Sequence, residues 1–422
     1  MGLAVKEFDP ATIDLSSADT FAERIPFEYF DYLRRHEPVY WHPEQPPNHG
    51  FWVVTKHEDL VQIHRDFRTF SSELGHVAIE ELQPDELTAR RSMLETDPPK
   101  HTRLRRIVSQ FFTPRAVAEY ESFARQLARE LLDEALPKLE FDFVEEVAAP
   151  FPINVLVRIV GAPPADAPHL VALGDRMIAN TDPDYADVVV GQEDTSEYRL
   201  LTFRSPAAVE LAEYGSDLAA KRRAEPQDDL VSKLVHAEVD GERLTEREFA
   251  NFFALLVIAG NETTRQGLSR GLLALAREPE AMAELAVDPS LIPVALEEIL
   301  RFASPVLYFR RTATTDTELR GVKIRAGDKV TIWYVSANFD EEVFPDPYVF
   351  DIRRQPNEHV TFGRAGPHHC LGAYLARLEM RVLLEELLPR VRTIEVTGPA
   401  PRVRSNFING IKKMPVRMEP VG

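Results

Sequence analysis

The chain has 422 residues, is 44% hydrophobic, and carries 49 Lys and Arg against 68 Asp and Glu, a formal charge of −19. So acidic a composition is a poor match for nucleic acid, which wants basic patches. There is no apolar run of about 18 residues to span a membrane, no leading apolar stretch to act as a signal peptide, and the single cysteine cannot close an internal disulfide. A cytoplasmic protein with no membrane and no nucleic-acid partner is expected.

No repeat or Gly/Ser linker divides the sequence, and its 32 prolines punctuate it rather than cluster. One domain over residues 1–422 is expected, mainly α with small β-sheets, and residues 1–20 should be irregular. In chain order, a helix is predicted over 26–35 and short strands over 39–41 and 51–55. Residues 101–112 read as a helix with Arg103, Arg105 and Arg106 on one side. Helices are predicted over 122–136 and 143–160, the second interrupted early by Pro150 and Pro152. Residues 180–196, rich in Asp, Tyr and Gly, read as a mobile loop between two helices.

The next segment is the most informative. Thr245 and Glu248 have the spacing of a capping box. Apolar residues then recur through Phe252, Phe253, Leu255, Leu256 and Ile258, resume at Leu268, and stop before Pro279. One helix of about 33 residues would span about 50 Å. With so apolar a middle, it should cross the core. Inside it lies A-G-N-E-T-T, Ala259 to Thr264. Gly260 in mid-helix costs about 1 kcal/mol relative to Ala, and Glu262 is expensive there unless partnered. The Thr263 hydroxyl can bond back to the Ala259 carbonyl, which bends helices. A kink with an acid and an alcohol beside it is the expectation.

Two charged motifs flank this helix in sequence. In H-T-R-L-R, His101 and Arg105 are i and i+4 and face one way, two cationic groups suited to a carboxylate pair. In E-I-L-R, Glu298 and Arg301 share a helix face; a surface ion pair is the plain reading. Finally, Cys370 lies in H-V-T-F-G-R-A-G-P-H-H-C-L-G, residues 359–372. Gly363, Gly366 and Pro367 make a loop that can approach a flat ligand closely. The Cys sits where the loop enters a helix predicted over 371–388, where backbone N–H groups lower a thiol pKa. A buried free Cys is the alternative.

F-G-R-A-G-P-H-H-C-L-G resembles the heme-binding loop of the cytochromes P450, usually F-G-x-G-x-H-x-C-x-G. The span from Phe362 to Cys370 is one residue longer here, and Ala365 stands near an expected Gly. The other three motifs follow in the family's order, and the resemblance runs from about residue 20 to 418. It implies the cytochrome P450 fold, with the long helix over heme b (iron protoporphyrin IX) and Cys370 on the iron. By the same resemblance, Ala259, Gly260, Phe362 and Gly363 border the cofactor. His101, Arg105, Arg311 and His368 bind its propionates. Thr263 would hold the oxygen-derived group and Glu262 feed it protons through water. Glu298 and Arg301, tied to Arg353, would be structural.

The implied reaction is hydroxylation of a lipophilic small molecule (steroid, terpenoid or fatty-acid-like) with O₂ and two electrons. No stretch reads as flavin- or nicotinamide-binding, so a ferredoxin with its NAD(P)H-dependent reductase is the implied donor. It would dock near Cys370, at Arg103, Arg106, Arg115 and Arg364. Family position puts the substrate against residues 78–87 and 178–185, Phe253, Leu256, Val257, Val306, Leu307, Tyr308 and Phe407. A heme-thiolate peroxygenase, a heme sensor without turnover and a helical protein without heme are the competing readings.

Overall fold

The computed structural model describes residues 12–46 and 48–421. Of the expected irregular leader, residues 1–11 lie outside that description. The rest is shorter than expected, because a helix already starts at Ala18 (Ala18–Glu23), capped by the Ser17 hydroxyl on the Asp19 N–H at 3.2 Å.

Helices dominate. Phe27–His36, Lys100–Ser109 and Glu121–Ala135 fall within a residue or so of the amphipathic stretches, with Gln110–Phe112 added to the second as a tighter 3₁₀ turn. The stretch 143–160 is divided near Pro150, where an early interruption is expected. A wide π turn at Val144–Ala148 leads into the α-helix Pro150–Val160, with Pro150 in its first turn. That placement costs nothing, since Pro lacks an N–H that the first turn leaves unbonded anyway. Residues 180–196, expected to be mobile, are tethered at their start. Thr181 donates to the Arg404 carbonyl at 2.6 Å, and buried Asp182 accepts from the Arg404 N–H at 2.7 Å and from Lys412 at 2.8 Å.

The long helix runs from Glu246 to Leu275 and keeps its capping box: the Thr245 hydroxyl accepts from the Glu248 N–H, and the Glu248 carboxylate from the Thr245 N–H. It packs against Pro150–Val160, Ala167–Ile178, Ala207–Ala224, Ile292–Ala303 and Ala373–Leu387. It is therefore the axis of the main core. No helix among the described residues is long and apolar enough to cross a membrane.

The described strands are β1 (Val39–His42), β2 (Phe51–Val54), β3 (Phe70–Ser71), β4 (Glu140–Asp142), β5 (Tyr308–Ala313), β6 (Thr317–Leu319), β7 (Val322–Ile324), β8 (Lys329–Trp333), β9 (Val391–Val396) and β10 (Pro415–Pro420). They form one sheet in the order β1-β2-β8-β5-β3, a second in the order β4-β10-β9, and the ribbon β6-β7. In the larger sheet β2 and β8 are parallel and the other pairs antiparallel. A smaller aromatic core, with Phe21 stacked on Trp333 and Tyr308 tilted against it, covers one face.

Candidate active site

The cysteine loop is closed by its own backbone. Gly363 N–H donates to the Val360 carbonyl at 2.7 Å and Cys370 N–H to the Phe362 carbonyl at 2.8 Å. Gly363 and Ala365 both take left-handed backbone, φ 70° and 62°, so the residue at the unexpected Ala adopts a conformation that favours glycine. Gly366 is required by contact: a Cβ there would collide with the His64 carbonyl oxygen. The Arg377 guanidinium covers the Phe362 ring 4.4 Å from its centroid.

Cys370 lies three residues before the helix Ala373–Leu387. Its side chain shows accessible surface although protein surrounds it, so it opens onto an internal cleft. The expectation of a lowered thiol pKa is overturned for the protein alone. Burial raises it, outweighing the Gly372 N–H, Arg105 and Arg377. A metal would reverse this, since a coordinated thiol loses its proton outright.

The middle of the long helix opens onto interior space as well. Ala259 is exposed, and Asn251, Leu255 and Thr263, at four-residue intervals along the same face, are partly so. A core-crossing helix shows such a stripe only where a cavity adjoins it. The helix runs unbroken through 259–264, so the expected kink is no interruption. The predicted bond is present, Thr263 Oγ1 donating to the Ala259 carbonyl at 2.7 Å.

Glu262 lies off that stripe and is only 2% exposed. Arg265 and Gln266 hold its carboxylate, Gln266 from 2.8 Å. Arg265 also grips Asp175 on the helix Ala167–Ile178 with two bonds of 2.8 and 3.1 Å. Burial, and then the second carboxylate, push the Glu262 pKa up to about 7, against the pull of Arg265. Sequence reasoning missed this group. Arg265 stands at i+3 from Glu262, a visible signal; Asp175 is 90 positions away from Arg265 and gave none.

A cluster of donors converges next to the thiol. His101 and His368 pack ring to ring at 4.1 Å. Arg105 donates to the His369 carbonyl at 2.6 Å, and buried Arg311 to the Arg310 carbonyl at 2.8 Å. Among the described residues neither arginine has a carboxylate at ion-pair distance, and His368 Nε2 is buried without a partner. The expectation that His101 brings a second cation fails here. Burial, helped by Arg105, holds its pKa down to about 4, and burial with Arg311 holds His368 low also. Two cations and two neutral donors thus gather with no carboxylate at ion-pair distance from either arginine among the described residues. The accessible thiol, the open helix face and this set without paired acids fit heme: Cys370 would hold the iron, and Arg105, Arg311, His101 and His368 would meet its propionates.

The Glu298–Arg301 pair is no surface bridge. Both are fully buried and joined by two 2.8 Å bonds, with Arg301 also donating to the Asn338 and Pro347 carbonyls. The predicted third member is one residue off. Arg353 binds Glu284 at the surface, at 2.9 Å, while Arg354 reaches Glu298 at 3.1 Å. Of the predicted pocket residues, Val306 and Phe407 keep accessible surface. Phe253, Val257 and Leu307 have essentially none; Phe253 stacks on Tyr214 and Phe249 in the seam between helices. Three of the four proposed docking cations are already paired, Arg103 with Glu242 and Glu248, Arg106 with Asp240 and Arg364 with Glu358. Arg115 is exposed and has no such partner among the described residues.

A mainly helical fold with an accessible thiol at a glycine loop and an open stretch on a core-crossing helix is the pattern of the heme-thiolate class of oxygenase. The comparisons with known proteins carry this to the family. The cytochrome P450 model matches residues 290–415. The methyl-branched lipid omega-hydroxylase of Mycobacterium tuberculosis is 41% identical over 98% of this chain and 96% of that protein. The steroid C26-monooxygenase of Mycolicibacterium smegmatis is 36% identical over 96% of this chain and 93% of that one. A Mycobacterium marinum cytochrome P450 solved with pseudoionone superposes with a TM-score of 0.86 at 41% identity, covering 98% of this chain and all of that one. The chain belongs to the cytochrome P450 family: it is a heme-containing monooxygenase, an oxidoreductase.

Proposed function

We propose that this enzyme hydroxylates a lipophilic small molecule, fatty-acid-like, steroid or terpenoid, using O₂ and two electrons from a ferredoxin with an NAD(P)H-dependent reductase, in the cytoplasm. The cofactor is heme b, bound by Cys370 and by the four donors around it. The observation that carries the reading is the accessible Cys370 thiol beside cations that no acid of the described chain satisfies. The heme supplies the oxygen chemistry, and a thiolate ligand favours O–O cleavage. The chain's own part is to orient the substrate and manage protons. Thr263, half-exposed on the open helix face, presents a hydroxyl there. Glu262, held by Arg265 and Gln266, is the nearest carboxyl on the same helix and exchanges its proton near neutrality. Val306 and Phe407 border the substrate.

The substrate class rests on the relatives, whose names specify methyl-branched lipids and steroids. Arg115 is the cation best suited to the electron donor, being exposed and without an ion-pair partner among the described residues. A thiolate-type Soret band in the carbon monoxide difference spectrum of the reduced protein is expected; a histidine-type spectrum or no heme would sink the reading. Branched fatty acids and steroids should then shift the heme spin state, which identifies the substrate class directly.

A further inference from the structure

A second cavity, of about 700 Å³, lies along the C-terminal half of the long helix. Arg270, which lines it, is about 10 Å of helix beyond Thr263. The cavity shares no residue with the cysteine loop. Its walls include Ile25, Leu273 and Ala276, and three further arginines besides Arg24 are directed by the fold to one space: Arg270, Arg277 and Arg402.

These three are poorly compensated. Arg270 spends one nitrogen on the Ala303 carbonyl at 3.0 Å. Arg402 donates to the Phe21 carbonyl at 2.6 Å and to Asn409 at 2.9 Å. Among the described residues, none of the three has a carboxylate at ion-pair distance. The acids on the cavity wall do not change this: Glu395 is engaged by Arg417 at 3.0 Å, and Glu23 is at the exposed rim. Arg24 is already paired with Glu28. Several other buried arginines of this acidic chain are matched, Arg34 by Asp31 and Glu341, Arg90 by Glu80, Arg301 by Glu298; Arg310 and Arg311 on β5 are the buried ones that, like this group, have no ion-pair partner among the described residues. Burial, and then repulsion from Arg402 and Arg277, push Arg270 down to about 9, and burial holds Arg402 at about 10. Both therefore remain charged at neutral pH. Desolvating like charges together is costly unless an opposite charge joins them. The volume lies within the range of small-molecule pockets and exceeds what one inorganic ion fills.

We propose that this cavity binds an organic anion, a phosphate or carboxylate group held by Arg270, Arg277 and Arg402 with an apolar body against Ile25, Leu273 and Ala276. Hydrogen bonds link it to Glu262: Ile411, on the cavity wall, donates its N–H to Gln266 at 2.7 Å, and Gln266 holds Glu262.

Isothermal titration of the heme-loaded enzyme with phenyl phosphate at low ionic strength tests this. One-to-one binding is expected, weakened at least tenfold by Arg277→Gln and by Arg402→Gln, and unchanged by Arg243→Gln, an exposed arginine outside the cavity. Arg277 is at the surface, so its variant folds even if Arg402→Gln does not. Absence of binding, or wild-type binding by the Arg277 variant, would overturn the site. Inorganic phosphate binding as tightly as phenyl phosphate would overturn the assignment of an organic body.

Discussion

Thr263 and Glu262 adjoin in sequence yet face different surroundings, and each calls for its own test. Thr263 offers a hydroxyl to interior space while bonded to the Ala259 carbonyl. Thr263→Ala should keep the heme spectrum but divert electrons to peroxide, lowering product per NAD(P)H by up to about 10²-fold, the lower end of what positioned proton transfer supplies. Tight coupling in that variant would contradict the role. Glu262, pushed up to about 7, loses its proton as pH rises through neutrality. Coupling in the wild type should fall across that window, and Glu262→Gln should flatten the profile. Glu379 makes a different point about buried acids. It is 1% exposed, its Oε2 has no partner, and burial alone holds its carboxyl well above the ordinary 4.5. A raised folded-state pKa means stability present below 4.5 and lost as pH rises toward the folded value. Glu379→Gln should therefore stabilise the protein at pH 8 by about 1–3 kcal/mol, the usual cost of an unsatisfied buried polar group, and by nothing near pH 4. Equal melting shifts at both pH values would refute this.

Among the elements, the helix Ile292–Ala303 shows best how a short motif acquires meaning from its neighbours. Glu298 accepts from Arg301, Arg354, Asn357 and the Asp351 N–H. Removing one partner of a buried pair costs about 3–5 kcal/mol, so Arg354→Ala should destabilise on that order or prevent heme loading. Arg353→Ala breaks only an exposed bridge to Glu284 and should stay within about 1 kcal/mol. Denaturant melts of the two variants separate them. The same site shows what a sequence can reveal. Periodicity located the long helix, and the Thr245–Glu248 spacing located its start, because both are local consequences of helix geometry. Residues 351–354 have no period, so whether Arg353 or Arg354 turns inward depends on loop backbone that no pattern encodes. The interruption of 143–160 was legible because Pro150 and Pro152 mark it, but the wide π turn before them was not, since only hydrogen bonding distinguishes it from α-helix.

For the molecule as a whole, the governing fact is where charge is left unbalanced. The cysteine loop, the open helix face and the donors of Lys100–Ser109 and β5 come from four distant parts of the chain. Their motifs were legible singly, and only the family resemblance implied that they come together; the neutrality of His101 and His368, which comes from burial rather than residue type, was not legible. What convergence creates is a cleft holding Arg105 and Arg311 without acids. Such a cleft is unfavourable by itself and favourable once a dianionic cofactor enters, since a ligand that binds only the folded state stabilises it by mass action. A sign change follows for Arg311, which is buried with one bond to its neighbour's carbonyl. In the heme-loaded enzyme, Arg311→Gln should destabilise by about 1.5–3 kcal/mol, the worth of a hydrogen bond to a charged group. In the heme-free protein, the same substitution removes an unpaired buried cation and should leave the melting temperature unchanged or higher. Parallel thermal melts of both forms decide the matter. Destabilisation of equal size with and without heme would show that Arg311 serves the fold and not the cofactor.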